Sequence, residues 1–195
     1  MPFEFFRVGN SKSVLRTVNE NFGWAVEDVI LNGAYFPNSL NGDVALLKLK
    51  YNTEDENGGL STICLPWAYN DDMTEIDKEN GMVVSWNSTN SMLNLTMVVT
   101  QIEKKESDGY RVKIKSNQKV CSGDSGSGFS GYCYNEKNEK TNQICVYGVV
   151  SYTNTGIDNF TCTDNIMVIN IRHAQNMHFL KESIEKLSKT CEDIS

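Results

Sequence analysis

The residues best suited to chemistry lie in the run Cys121-Ser122-Gly123-Asp124-Ser125-Gly126-Ser127-Gly128. A serine held in a glycine-rich turn presents its hydroxyl without a neighbouring Cβ in the way, and the backbone N–H groups of such a turn can converge on an oxyanion. That is the equipment for nucleophilic attack on a carbonyl carbon. Gly-Ser-Gly alone reads equally as a flexible loop; the flanking Cys121 and Asp124 set this run apart. The chain has 2 histidines, His173 and His178, whose spacing does not place them on one helical face at i, i+4, so packing or surface roles are expected and no metal site is implied. The acidic stretch from Asn70 to Gly81 carries Asp71, Asp72, Glu75, Asp77 and Glu79 without the spacing of an EF-hand, and reads as a solvated connector. No cofactor is implied.

The elements that must position Ser125 are strands. Tyr110, Val112 and Ile114 alternate with Arg111, Lys113 and Lys115, and Leu93, Leu95, Met97 and Val99 form a second series of period two. Similar runs occupy Phe3 to Val8, Trp24 to Leu31, Val44 to Leu49, Met82 to Trp86, Ile144 to Tyr152 and Ile166 to Ile171. Turn-rich segments such as Phe36-Pro37-Asn38, Asn57-Gly58-Gly59 and Asn135 to Asn142 separate them, a spacing that predicts an all-β sandwich or barrel. The period changes only near the end, where Ala174, Met177, Leu180, Ile184 and Leu187 recur at steps of three and four and Glu182 stands at i, i+4 from Lys186. One amphipathic C-terminal helix is predicted there.

With 195 residues the chain can bury a substantial core. Eighteen basic against 25 acidic side chains give a formal charge of −7, which removes the basic footprint of a nucleic-acid binder and repels anionic membranes. No apolar run is long enough to span a bilayer, and the first residues lack the basic and apolar regions of a signal peptide. Six cysteines with no C-x-x-C pair, and glycosylation sequons at Asn87, Asn94 and Asn159, point to an oxidising, extracellular location. A secreted-looking body without a secretion signal leads to the expectation that the chain is a fragment of a longer protein.

Gly123-Asp124-Ser125-Gly126 after a cysteine resembles the nucleophile motif of chymotrypsin-like, trypsin-fold serine proteases of peptidase family S1. Three more blocks are similar and occur in the family's order. Asp43-Val44-Ala45-Leu46-Leu47-Lys48-Leu49 resembles the segment of the triad aspartate, Ile63-Cys64-Leu65-Pro66 the start of the connector between two barrels, and Gly148-Val149-Val150-Ser151-Tyr152 the strand lining the substrate cleft. The resemblance implies Ser125 as nucleophile, Gly123 and Ser125 as oxyanion-hole donors, Asp43 as the carboxylate orienting the general base, and Asp124 as the partner of an activation-generated ammonium. It implies substrate contacts at Ser151, Tyr152 and Thr153 and at Lys119, which stands where the family sets the charge of its specificity pocket, unless it is simply an exposed lysine. It further implies disulfides Cys121–Cys162 and Cys133–Cys145, leaving Cys64 and Cys191 to pair with each other or Cys64 to bond an upstream segment.

The departure that matters is the general base. The family's histidine lies about 45 residues before its aspartate, and no matching histidine precedes Asp43 in this chain. The expected architecture is therefore two antiparallel β-barrels, the first incomplete, plus a C-terminal helix: about 1–62 for the remainder of the first barrel, about 63–81 for the connector, about 82–171 for the second barrel and about 172–190 for the helix. The implied function is serine-type endopeptidase acting on a protein or peptide substrate, with an upstream or regulatory segment elsewhere in the full-length protein. The alternative is a non-catalytic homologue that serves as a secreted protein-binding module.

Overall fold

The computed structural model describes residues 7–8, 24–36, 42–49, 63–66, 81–89, 92–105, 109–115, 117, 119–121, 124–135, 137, 139–153 and 162–192. The acidic stretch 70–80 and the sequon asparagine Asn159 lie outside them. Strands β1 (Arg7–Val8), β2 (Trp24–Leu31) and β3 (Ala45–Leu49) form a three-stranded antiparallel sheet. Strands β4 (Gly81–Thr89), β5 (Met92–Lys105), β6 (Gly109–Ile114), β7 (Gly128–Tyr134), β8 (Lys140–Thr153) and β9 (Asn165–Asn170) close a barrel in the order β4-β5-β6-β9-β8-β7. Helix α1 (Ala174–Glu192) follows directly. The all-β architecture with one complete and one partial barrel is as expected.

The barrel holds the core because its strands deliver alternate apolar side chains to one side. On β6, Tyr110, Val112 and Ile114 are buried while Lys113 is exposed. Their neighbours across the interior are Val83, Phe129, Tyr147, Val150, Ile166 and Val168, each no more than 2% exposed. Side chains of this size each contribute about 1.5–3 kcal/mol when fully buried. Buried Tyr147 keeps its hydroxyl satisfied by donating to the Tyr132 carbonyl at 2.6 Å. The three-stranded sheet supplies none of the buried apolar cluster among the described residues, and it leaves Leu31, Tyr35, Phe36 and Leu47 exposed.

Strand β7 was not legible as a period-two run, and the structure gives the reason. Its register against β8 shifts between Phe129 and Ser130 and again between Tyr132 and Tyr134. The two irregularities bury Phe129, Ser130, Cys133 and Tyr134 in adjacent pairs instead of alternately. The helix also differs from its predicted stripe. The face it buries is Asn176, Leu180 and Ser183, whereas Ala174 and Ile184 are exposed, because two polar positions carry hydrogen-bonding groups inward. Glu182 meets His178, with Nε2 and Oε1 3.3 Å apart.

Phe129 tests where the core sits. Its ring is 6.4 Å from that of Tyr110, and it fills the space over Gly81, where a Cβ would clash with the ring. Phe129→Ala is expected to lower unfolding free energy by about 3–5 kcal/mol, read as a fall in the denaturant midpoint. The same change at Phe36, 58% exposed, is expected to cost under about 1 kcal/mol.

Candidate active site

Ser125 sits in a turn that the chain fastens at several points. Asp124 N–H donates to the Cys121 carbonyl at 3.1 Å and Ser127 N–H to the Asp124 carbonyl at 3.1 Å. The turn is bonded to β8 in both directions, Gly126 N–H to the Val150 carbonyl at 2.8 Å and Val150 N–H to the Ser127 carbonyl at 2.8 Å. Gly126 adopts φ 91°, a conformation glycine reaches without the penalty a Cβ imposes. On the other side, Val120 and Thr163 exchange backbone hydrogen bonds of 3.1 and 2.9 Å, and a disulfide joins Cys121 to Cys162 with an S–S length of 2.01 Å. The second disulfide, Cys133–Cys145, ties β7 to β8. The result is an exposed hydroxyl on a rigidly tethered backbone.

Asp43 reaches the same place from the three-stranded sheet. It follows Gly42, whose φ of 69° turns the chain, and precedes Val44, whose N–H closes back on the Gly42 carbonyl at 2.6 Å. The two side chains meet at one residue of β8. The Ser125 hydroxyl donates to the Ser151 carbonyl at 2.9 Å, and the Ser151 hydroxyl donates to Asp43 Oδ2 at 2.5 Å. Residues 82 positions apart in sequence are thus both bonded to a third. In this arrangement the Ser125 hydroxyl is hydrogen-bonded to a carbonyl, which is too weak a base to remove its proton; attack on a carbonyl carbon requires a base to take that proton.

Asp124 is 7% exposed, and its Oδ2 accepts the Cys121 N–H at 2.7 Å, so its carboxylate serves here as an internal cap for the nucleophile turn. Lys119 is exposed. Its neighbour Val120 is buried in the core and pairs with Thr163 in an isolated bridge. Gly123 and the side chains of Tyr152 and Thr153 fall outside the described residues. Cys64 carries a half-buried free thiol, its backbone forms a bridge with Cys145, and the side chain of Cys191 falls outside the described residues. Asn87 and Asn94 lie opposite one another in the β4–β5 register. What the sequence reading missed is the link made by Ser151, expected as a substrate contact and found to hold Asp43 and Ser125 as well, and the buried Asn32 and Asn176, which no motif marks.

No protein-family model matches the chain. Over 141 residues it is 29% identical to the CLIP domain-containing serine protease HP8 of Bombyx mori, a stretch covering 65% of this chain and 38% of that protein. Its fold is similar to that of the Drosophila Grass clip serine protease of the Toll pathway, with a TM-score of 0.54 at 14% identity over 80% of this chain and 47% of that one. The fold is therefore that of the chymotrypsin-like serine proteases, and the chain is serine-protease-like in sequence. It spans less than half the length of either relative.

Gly42 supplies the sharpest test of how Asp43 is placed. A Cβ there would come within 2.9 Å of Ala34 C and Tyr35 N, on a residue whose φ is already in the left-handed region. Gly42→Ala is expected to cost about 2–3 kcal/mol in chemical denaturation. For the nucleophile turn, opening the Cys121–Cys162 bridge with a Cys121→Ser/Cys162→Ser pair is expected to cost up to about 4 kcal/mol by the chain-entropy estimate for a loop of this length.

Proposed function

We propose that this chain carries the nucleophile and the triad aspartate of a trypsin-like serine endopeptidase working through an acyl-enzyme. Ser125 Oγ attacks the scissile carbonyl of a protein or peptide, the Gly123 and Ser125 N–H groups receive the oxyanion, and collapse expels the amine as the C–N bond breaks. Water then hydrolyses the ester and regenerates the hydroxyl. Asp43 orients the imidazole that takes and returns the proton. His173 and His178 are not at the position the motif requires, so in this reading the base comes from a segment outside residues 1–195. The observation that carries the proposal is Ser151, whose carbonyl and hydroxyl address Ser125 and Asp43 together.

The same reading places the protein outside the cell. Two disulfides persist in oxidising compartments, the sequons become glycan sites, and no helix among the described residues is long and apolar enough to cross a membrane. The domain limits expected from sequence, with an upstream regulatory segment, belong to the proposal.

A second reading is a non-catalytic homologue that binds a partner at this cleft. It is favoured by the use of both histidines elsewhere: His178 is exposed beside Glu182, and His173 precedes the helix, its N–H bonded to the Asn170 carbonyl at 3.2 Å. The two readings separate on labelling of the full-length protein with a serine-reactive phosphonate. The protease reading expects stoichiometric modification of Ser125, lost in Ser125→Ala, and a fall of about 10⁴-fold in kcat for Asp43→Asn. Absence of labelling after activation establishes the binding module instead.

A further inference from the structure

Asn176 is the most deeply buried polar side chain described, 1% exposed, and it lies on the helix face that no apolar pattern predicts. Its amide is used at both ends. Nδ2 donates to the Asn170 carbonyl at 2.8 Å, and Oδ1 accepts from Asn32 Nδ2 at 3.2 Å. The two bonds fix the orientation of the amide, since a flipped Asn176 would face donor to donor and acceptor to acceptor. Asn32 stands just past the end of β2, 6% exposed, and holds a turn: its Oδ1 accepts from Ala34 N–H at 3.0 Å and its carbonyl from Tyr35 N–H at 3.0 Å.

Gly42 is seated on that turn. The three atoms nearest to a Cβ at position 42 are Ala34 C, Tyr35 N and Asn32 Nδ2, at 2.9, 2.9 and 3.0 Å. The next residue is Asp43. In the other direction, Asn170 ends β9 and pairs with Gly148 of β8, three positions before Ser151. The contacts therefore close a circuit: Asp43 to Ser151, along β8 to Gly148, across to Asn170, through Asn176 to Asn32, and through Gly42 back to Asp43. One arm of the circuit holds the carboxylate, and the other holds the backbone that presents it.

We propose that Asn32 and Asn176 are positioning residues for Asp43, a side-chain clamp that anchors the carboxylate loop of the three-stranded sheet to the barrel independently of the Ser151 hydroxyl. The proposal rests on Asp43 being part of the working site. It explains why two amides are buried where leucine would pack: an apolar pair would cover the same area but would not set the distance or direction of the turn beneath Gly42. Leaving a buried amide unpaired is costly, and the cost falls on the loop, which lies outside the apolar cluster of the barrel.

Amide hydrogen exchange of the full chain tests the clamp without requiring catalysis. Two variants address it from opposite sides. Asn176→Leu removes both bonds; Asn32→Ser keeps an oxygen for the Ala34 N–H but is too short to reach Asn176. In each, exchange at Tyr35 and Val44 is expected to rise tenfold or more, while Val112 and Val168 in the barrel change less than about twofold. The double variant is expected to add nothing beyond the larger single effect. Equal acceleration in barrel and loop, or additive effects in the double variant, overturns the proposal and leaves an ordinary buried polar pair; should Asn176→Leu not fold, Asn32→Ser alone decides. Phosphonate labelling of Ser125 is read in parallel and is expected to slow in both variants. Acceleration confined to Tyr35 and Val44 in a protein whose Ser125 is never labelled supports the clamp and removes the protease reading, whereas unchanged exchange at Tyr35 and Val44 overturns the clamp.

Discussion

The site depends on one residue of β8 that faces two ways. Through its main-chain oxygen Ser151 holds the Ser125 hydroxyl, and through its side-chain oxygen it holds the Asp43 carboxylate. Neither partner could be placed by local structure alone. Asp43 belongs to a loop of the three-stranded sheet and Ser125 to a turn before β7, so their meeting is a product of tertiary packing. A carboxylate brought into a partly buried setting needs a donor, and a hydroxyl 2.5 Å away supplies it. Much of the surrounding construction keeps that strand, that loop and that turn in register.

The stabilising interactions are unevenly divided. The barrel encloses the apolar cluster, closes its own hydrogen-bonding edges and carries both described disulfides between its segments. The three-stranded sheet brings Asp43 and little buried apolar surface, with Leu31 74% exposed at the end of β2. Among the described residues two side-chain hydrogen bonds attach it to the rest, Asp43 with Ser151 and Asn32 with Asn176. Polar contacts of this kind confer direction where hydrophobic contacts confer only proximity.

Much of this was legible in the chain itself. Strands β2, β3, β6 and β9 declare themselves because each has one face in the core or on the sheet and therefore alternates or runs apolar between turn residues. The Ser125 turn is visible because Cys121 and Asp124 flank a glycine-serine run that on its own reads as a flexible loop. What stayed hidden has physical reasons. Strand β7 contains Gly128 and Gly131 and two register shifts, which destroy the period-two signal. Asn176 is invisible because an asparagine on a helix reads as solvent-facing until the partner that buries it, 144 residues away, is known. Lys119 shows the converse case: a motif locates the residue in sequence, and only the fold shows that it is exposed.

The way the barrel closes has a mechanical consequence. Its seam between β4 and β7 is short, two registered pairs, Met82 with Ser130 and Val83 with Phe129, and has the fewest backbone bonds to hold it closed. Yet the turn bearing Ser125 is sewn to Val150 and not to β4, and the neighbouring residue on that same strand receives Asp43. Ser125 and Asp43 ride on one rail. The spacing between them is insulated from the weakest joint of the cylinder that supports them.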